Sequence, residues 1–193
     1  FGIKRKIPAL PSICLGAAEV SLLEIASVYS SFSNSGIIIE PNFILKIEDK
    51  NGKCIKKFNS EKKEAISKET AYLMIYLLRG TTEMRDGLYK SITKDIIDKN
   101  QVACKSGTSQ NQSDGTFIAI TKNLCVGIWV GAEDRSIHFK DLASGSGSKI
   151  ARPIWEIFIR QIYQVKSLSK YQKGKIYEKI PEGLKEFENE LNN

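Results

Sequence analysis

Gln101-Val102-Ala103-Cys104-Lys105-Ser106-Gly107-Thr108-Ser109 opens on β-branched and small apolar residues, then turns abruptly to a cation, hydroxyls and a glycine. That is the composition of a strand that starts in a core and ends at the border of a site. Side chains alternate along a strand, so Ser106 and Thr108 share one face and Lys105 and Gly107 the other. The backbone N–H and C=O groups of 106 and 108 share one edge. Two hydroxyls, two N–H donors and one ammonium then border a small volume, which suits a carboxylate or a developing oxyanion. Gly107 leaves room for an extended substrate backbone, where a Cβ would intrude.

The flanking sequence supplies the frame. Asp114 to Ile120 reads as a second strand, Lys122-Asn123 as a turn, and Leu124 to Gly131 as a third strand. Three consecutive strands on short turns predict an antiparallel meander. After Gly145-Ser146-Gly147, read as a flexible connector rather than an anion-binding nest, Pro153 opens a helix that covers the sheet. The fold class expected is α+β, an antiparallel sheet covered by helices.

Upstream, Leu22, Leu23, Ala26, Tyr29 and Phe32 recur at helical spacing between Glu19 and Asn34, with Gly36 placed for a left-handed cap. Phe43 to Glu48 and Lys53 to Phe58 read as a hairpin about Asn51-Gly52. Ser60 to Glu64 reads as a solvated connector. Ser67 caps a helix from Glu69 to Arg79, with Gly80 just past its end. Residues 81–100 carry no clear period and are expected to form an irregular loop with one helical turn. Trp129, Trp155, Phe117 and Phe158 read as packing between sheet and helix. Beyond Tyr163 the chain turns polar, and Pro181 opens a short amphipathic helix using Leu184, Phe187 and Leu191.

Composition narrows the function classes. With 193 residues, 41% hydrophobic and 26% charged, the chain can bury a core, and no apolar run reaches the length of a membrane span. The net charge of +7 is scattered over Lys4-Arg5-Lys6, Lys56-Lys57 and Lys62-Lys63 without interleaved aromatics. These read as solvated faces, so no nucleic-acid partner is expected. Cys14, Cys54, Cys104 and Cys125 lack metal spacing and His138 stands alone, so no metal and no cofactor are expected. A 104–125 disulfide is disfavoured because a strand lies between them. The cysteines read as small buried hydrophobes, and His138 as a loop residue.

In this context the sequence resembles the transpeptidase domain of class A penicillin-binding proteins. The resemblance runs from about Leu10 to about Tyr163. It rests on Leu15-Gly16 with Glu19-Val20-Ser21 and Leu23-Glu24, Ala26 to Gly36, Ile47-Glu48-Asp49 with Asn51-Gly52, Glu69 to Met74, Lys105 to Gln110, Val126 to Gly131 and Pro153-Ile154-Trp155. It implies residues 1–163 as the C-terminal portion of a transpeptidase domain of penicillin-binding or β-lactamase-like fold, and 164–193 as a polar tail.

The resemblance also implies roles. Lys105 and Thr108 are catalytic, the first lining the cleft and the second giving half of the oxyanion hole through its N–H. Ser106, Gly107, Thr108 and Ser109 bind substrate, the hydroxyls of Ser106 and Thr108 holding the terminal carboxylate. The implied partners are D-Ala-D-Ala stem peptides of peptidoglycan, β-lactams and the upstream half of the same domain. The implied place is the periplasmic or extracytoplasmic face of the membrane, with any anchor and a glycosyltransferase domain upstream.

The family's chemistry also needs a serine in Ser-x-x-Lys and a Ser-x-Asn, both before the third motif. Ser-x-x-Lys occurs at Ser60/Lys63, Ser91/Lys94, Ser146/Lys149 and Ser167/Lys170, none of them heading an apolar helix, and about two matches are expected by chance. The nucleophile is therefore expected upstream of Phe1, leaving this portion inactive by itself. The family usually carries Gly at Cys104 and an aromatic at Thr116. Cys104 is expected to narrow the approach, and Thr116 to loosen the turn below the site. These departures motivate two alternatives: a non-catalytic penicillin- or peptidoglycan-binding or sensor module, or a related D,D-carboxypeptidase or β-lactamase.

Overall fold

Ser21 starts the first helix through a reciprocal pair of hydrogen bonds. Its Oγ accepts from Glu24 N–H at 3.2 Å, and the Glu24 carboxylate accepts from Ser21 N–H at 2.9 Å. Helix α1 (Leu22–Ser33) then runs to Asn34, and Gly36 follows with φ 83°. Only glycine serves at 36, since a Cβ there would meet Ile66 O at 2.0 Å. The structure is a computed structural model and describes residues 1–83, 92, 94–97, 99–172 and 174–187.

Strands β1 (Ile37–Ile39), β2 (Lys46–Glu48), β3 (Cys54–Lys57) and β4 (Lys62–Glu64) form two small antiparallel pairs, β1 with β4 and β2 with β3. The expected connector at Ser60–Glu64 is thus partly a strand. Its lysines and glutamate stay exposed while its backbone pairs with Ile37–Ile39. The hairpin forms, but its turn is wider than an Asn-Gly pair. Asp49 N–H donates to Lys53 O, the Asp49 carboxylate accepts from Asn51 and Lys53 N–H, and Gly52 takes the left-handed conformation. Phe43 to Leu45 precede the strand and are exposed.

Ser67 Oγ accepts from Thr70 N–H, as a cap should, at the head of α2 (Lys68–Glu83). Gly80 does not end this helix. Thr81 and Thr82 hydroxyls bond back to Leu78 O and Arg79 O, and Arg79 pairs with Glu83 one turn on. Together these offset the roughly 1 kcal/mol cost of an interior glycine. Of the irregular stretch expected at 81–100, residues 84–91, 93 and 98 lie outside the described residues, and the single helical turn is α3 (Lys94–Ile97).

The expected meander is present as β5 (Ala103–Thr108), β6 (Asp114–Thr121) and β7 (Leu124–Gly131), antiparallel in the order β5-β6-β7. Two short helices, α4 (Leu142–Gly145) and α5 (Gly147–Ile150), lead into α6 (Arg152–Gln164). Both faces of the sheet are covered. Val102, Cys104, Phe117 and Ala119 pack with Trp155 and Ile159 of α6, while Ala103 and Ile120 pack with Val28 and Phe32 of α1 and Ile75 and Leu78 of α2. Two covered faces explain why Phe117-Ile118-Ala119-Ile120 is an unbroken apolar run. The Phe117 and Trp155 rings lie 5.5 Å apart, and both are fully buried.

Trp129 and Phe158, expected in that packing, are instead 46% and 43% exposed. Past α6, 3-10 turns at Lys166–Tyr171 and Glu182–Phe187 bring the chain back toward α1 and α2. Tyr177 OH donates to Phe32 O, its ring stands edge-on to Tyr72, and Ile176 and Leu184 are buried. Phe187 is exposed, and Leu191 lies outside the described residues.

All four cysteines are free, and they divide into two pairs. Burial pushes the thiols of Cys104 and Cys125 up to about 11 and about 12, whereas Cys14 and Cys54 are exposed. The expectation of four buried hydrophobes therefore fails for the latter two. Because a raised pKa starves the reactive thiolate, Ellman's reagent at pH 8 is expected to titrate two thiols promptly and the other two only in denaturant. Prompt reaction of all four would contradict this packing.

Candidate active site

Among the described residues, β5 is an outer strand of its sheet. Ser109 N–H donates to Asp114 O at 3.0 Å, and Lys105 pairs with Ile118 and Gly107 with Thr116. That register turns the backbone groups of 105 and 107 toward β6 and those of 104, 106 and 108 to the outer edge.

The edge is closed along its first half. Thr82 Oγ1 donates to Val102 O at 2.7 Å, and Thr81 Oγ1 lies 3.3 Å from both Cys104 O and Cys104 Sγ. These hydroxyls belong to the last turn of α2, which Gly80 had hidden from the sequence reading. Beyond them the character changes. Lys105 starts on the opposite face from Ser106 and Thr108, but its Nζ bends round to donate to Ser106 O at 3.0 Å. The ammonium thus reaches the same outer edge as the 106 and 108 backbone groups.

Thr108 is positioned from behind. Its Oγ1 accepts from Gly147 N–H at 3.1 Å, at the start of α5. An N–H can only donate, so the Thr108 hydroxyl keeps its own proton for an acceptor such as a carboxylate. A Cβ at Gly147 would stand 2.3 Å from both Gly107 O and Thr116 O. The stretch read as a flexible connector is therefore packed against the site strand, with Gly145 and Gly147 both buried.

Gly107 is also kept bare by its neighbour on β6. The space beside its Cα is taken by Thr116 Oγ1, which would lie 2.5 Å from a Cβ there. Thr116 does not leave the turn loose. Asp114 accepts from Trp129 Nε1 at 3.1 Å and from Ser113 Oγ at 3.1 Å, and Ser113 Oγ meets Ser109 Oγ at 2.8 Å. Trp129 is the cross-strand partner of Thr116, so an aromatic stands one strand over. Ser109 Oγ also accepts from Asp114 N–H at 2.8 Å, which commits this hydroxyl to the turn.

Cys104 does not narrow the approach. It is fully buried, facing the core beneath the sheet. His138 is exposed, with Nδ1 2.9 Å from the carbonyl of Phe139, as suits a loop residue.

The sequence profile of the Penicillin binding protein transpeptidase domain matches residues 9–149. The chain belongs to this family. Penicillin-binding protein 1A of Rickettsia typhi is 30% identical over 185 residues, covering 85% of this chain and 23% of that protein. Penicillin-binding protein 1A of Aquifex aeolicus is 28% identical over 151 residues, covering 78% and 20%. Penicillin-binding protein 2D of Bacillus subtilis is 28% identical over 162 residues, covering 82% and 23%. The chain thus spans less than a quarter of the length of these relatives. The crystal structure of penicillin-binding protein 1A from Haemophilus influenzae superposes with a TM-score of 0.72 at 24% identity, covering 83% of this chain and 29% of that one. The α+β fold is therefore that of penicillin-binding transpeptidase domains.

The four Ser-x-x-Lys pairs are scattered over the chain. Ser60 precedes the exposed β4 and Lys63 lies within it, Ser146 precedes the four-residue α5 with Lys149 exposed, and Ser167 and Lys170 lie in a 3-10 turn. Ser91 lies outside the described residues.

Replacing Gly147 by Ala forces a methyl against two backbone carbonyls. The expected outcome is a loss of about 1–3 kcal/mol of stability by urea denaturation, with no change in the denaturant slope.

Proposed function

We propose that this chain is the C-terminal part of a serine-type D-Ala-D-Ala transpeptidase, in which the upstream half of the domain supplies the nucleophilic serine. The observation that carries this reading is the outer edge of β5, where the Lys105 ammonium, the 106 and 108 backbone groups and a proton-bearing Thr108 hydroxyl meet. Such an edge suits an extended peptide ending in a carboxylate.

In this reading Ser106 and Thr108 bind the terminal carboxylate of the stem peptide. The upstream serine attacks the penultimate D-Ala carbonyl, and Thr108 N–H steadies the oxyanion as the terminal D-Ala leaves. Lys105 supplies positive potential and assists the proton transfer from serine to the departing amine. An amine on a second stem peptide then takes the acyl group, which closes the cross-link. Gly107 keeps the strand close to Thr116, and Ser109 shapes the end of the cleft through the turn. A β-lactam enters as an acyl donor whose leaving group stays attached.

The upstream half has a surface to cover. Ile154, Ile157 and Phe158 form an exposed apolar stripe on α6, and β7 is the other outer strand of the sheet among the described residues. No helix among the described residues is long and apolar enough to cross a membrane. In this reading, as the class A resemblance implies, a membrane anchor and a glycosyltransferase domain lie upstream and the site faces the extracytoplasmic side. Cys104, buried in the core, gives no support to a non-catalytic module.

Fluorescent penicillin tests this. The isolated chain is expected to remain unlabelled, and the chain joined to its upstream half to label covalently. Lys105→Ala in the joined protein is expected to slow labelling about 100-fold or more. Stoichiometric labelling of the isolated chain would overturn the placement of the nucleophile.

A further inference from the structure

Between α2 and the returning C-terminal segment lies an open cavity of about 470 Å³. Its lining includes Arg79 from α2, Gln101 from the approach to β5, and Lys175, Lys179 and Lys185 from the segment. Tyr72 and Tyr177, edge-on at 5.2 Å, contribute aromatic wall. We infer that this cavity is a binding site for a multiply charged phosphate group, distinct from the transpeptidase site and independent of that reading.

The charge balance favours an anion. Four lining residues are cationic and one, Glu178, is anionic. Glu178 is already engaged, accepting from Lys122 Nζ at 2.8 Å. Arg79 is held by Glu83 and Lys185 by Glu182, each at 2.7 Å, so these cations add hydrogen-bond donors more than net charge. Lys175 and Lys179 make no ion pair among the described residues, and both are exposed.

A single exposed pair in water is worth only about 1 kcal/mol. A ligand therefore has to gather several cations at once, which a phosphate of charge about −2 does and a lone carboxylate does not. Gln101 fits the same chemistry. Its Oε1 accepts from Ile176 N–H at 3.0 Å, which turns its amide nitrogen to the role of donor.

Two sources share this chemistry, a phospholipid headgroup and a soluble phosphate ester or polymer. The site also has a mechanical meaning. One wall is α2, whose last turn clasps β5, and the other is residues 175–185, so a bound phosphate ties the segment to the helix.

Isothermal titration of the chain with inorganic tripolyphosphate at low ionic strength tests the inference. The wild type is expected to bind, with a rise in thermal midpoint. Lys175→Glu with Lys179→Glu is expected to weaken binding about tenfold or more and to abolish the midpoint shift. A charge-matched control, Lys62→Glu with Lys63→Glu on exposed β4, is expected to change affinity less than about twofold, because charges beyond the screening length contribute little. Co-sedimentation with phosphatidylcholine vesicles, with and without phosphatidylglycerol, separates the sources. Binding to the anionic vesicles that tripolyphosphate releases assigns a headgroup, and binding of the soluble probe alone assigns a free phosphate. No binding of either probe by the wild type, or equal losses in both double variants, would overturn the site. Lys179→Gln alone, an exposed neutral change, should reproduce part of the loss if folding of the double variant is in question.

Discussion

The burial of one strand at one end and its release at the other is the constraint on which this structure depends. Val102, Ala103 and Cys104 are fully enclosed between two layers of helices, and their outward carbonyls are met by hydroxyls of α2. From Lys105 to Thr108 the same strand is half-buried to exposed, presenting polar backbone and side chains. A peptide group buried without a partner costs about 1–3 kcal/mol, so the threonine contacts are what allow an outer strand to lie against a helix at all. They also define where the strand becomes available. Along that edge the α2 clasp stops at 104.

The residues behind the site share this economy of contact. Gly147 lets α5 approach so closely that its first N–H becomes a partner of Thr108, and Gly107 yields its side-chain space to Thr116. Around Asp114, one carboxylate receives the Trp129 indole and the Ser113 hydroxyl, which in turn meets Ser109. The polar rim is thus stiffened from the core face, from the neighbouring strand and from the turn at its end. Preorganised donors of this kind act on developing charge without reorganising first.

Much of this was legible in the sequence. Alternation in Lys105–Thr108 placed the polar faces, short turns placed the meander, and the helical period in Leu22–Phe32 placed α1. What escaped notice was set by tertiary contact. Gly80 looks like a helix stop until Thr81 and Thr82 find carbonyls on another strand, a partnership no local pattern encodes. Lys62–Glu64 lacks apolar alternation because β4 pairs only through its backbone, at the surface. Gly145-Ser146-Gly147 has the composition of a hinge, yet the missing side chains serve close packing. Trp129 carried no mark of exposure, since its role comes from a carboxylate opposite.

The unbroken run Phe117-Ile118-Ala119-Ile120 is safe only because both faces are covered in the finished fold. During translation it emerges before β7 and α6, and the 44 residues from Thr121 to Gln164 have still to be made. At about 5–20 residues per second that leaves it uncovered for a few seconds. For that interval the nascent chain carries a sticky β ribbon.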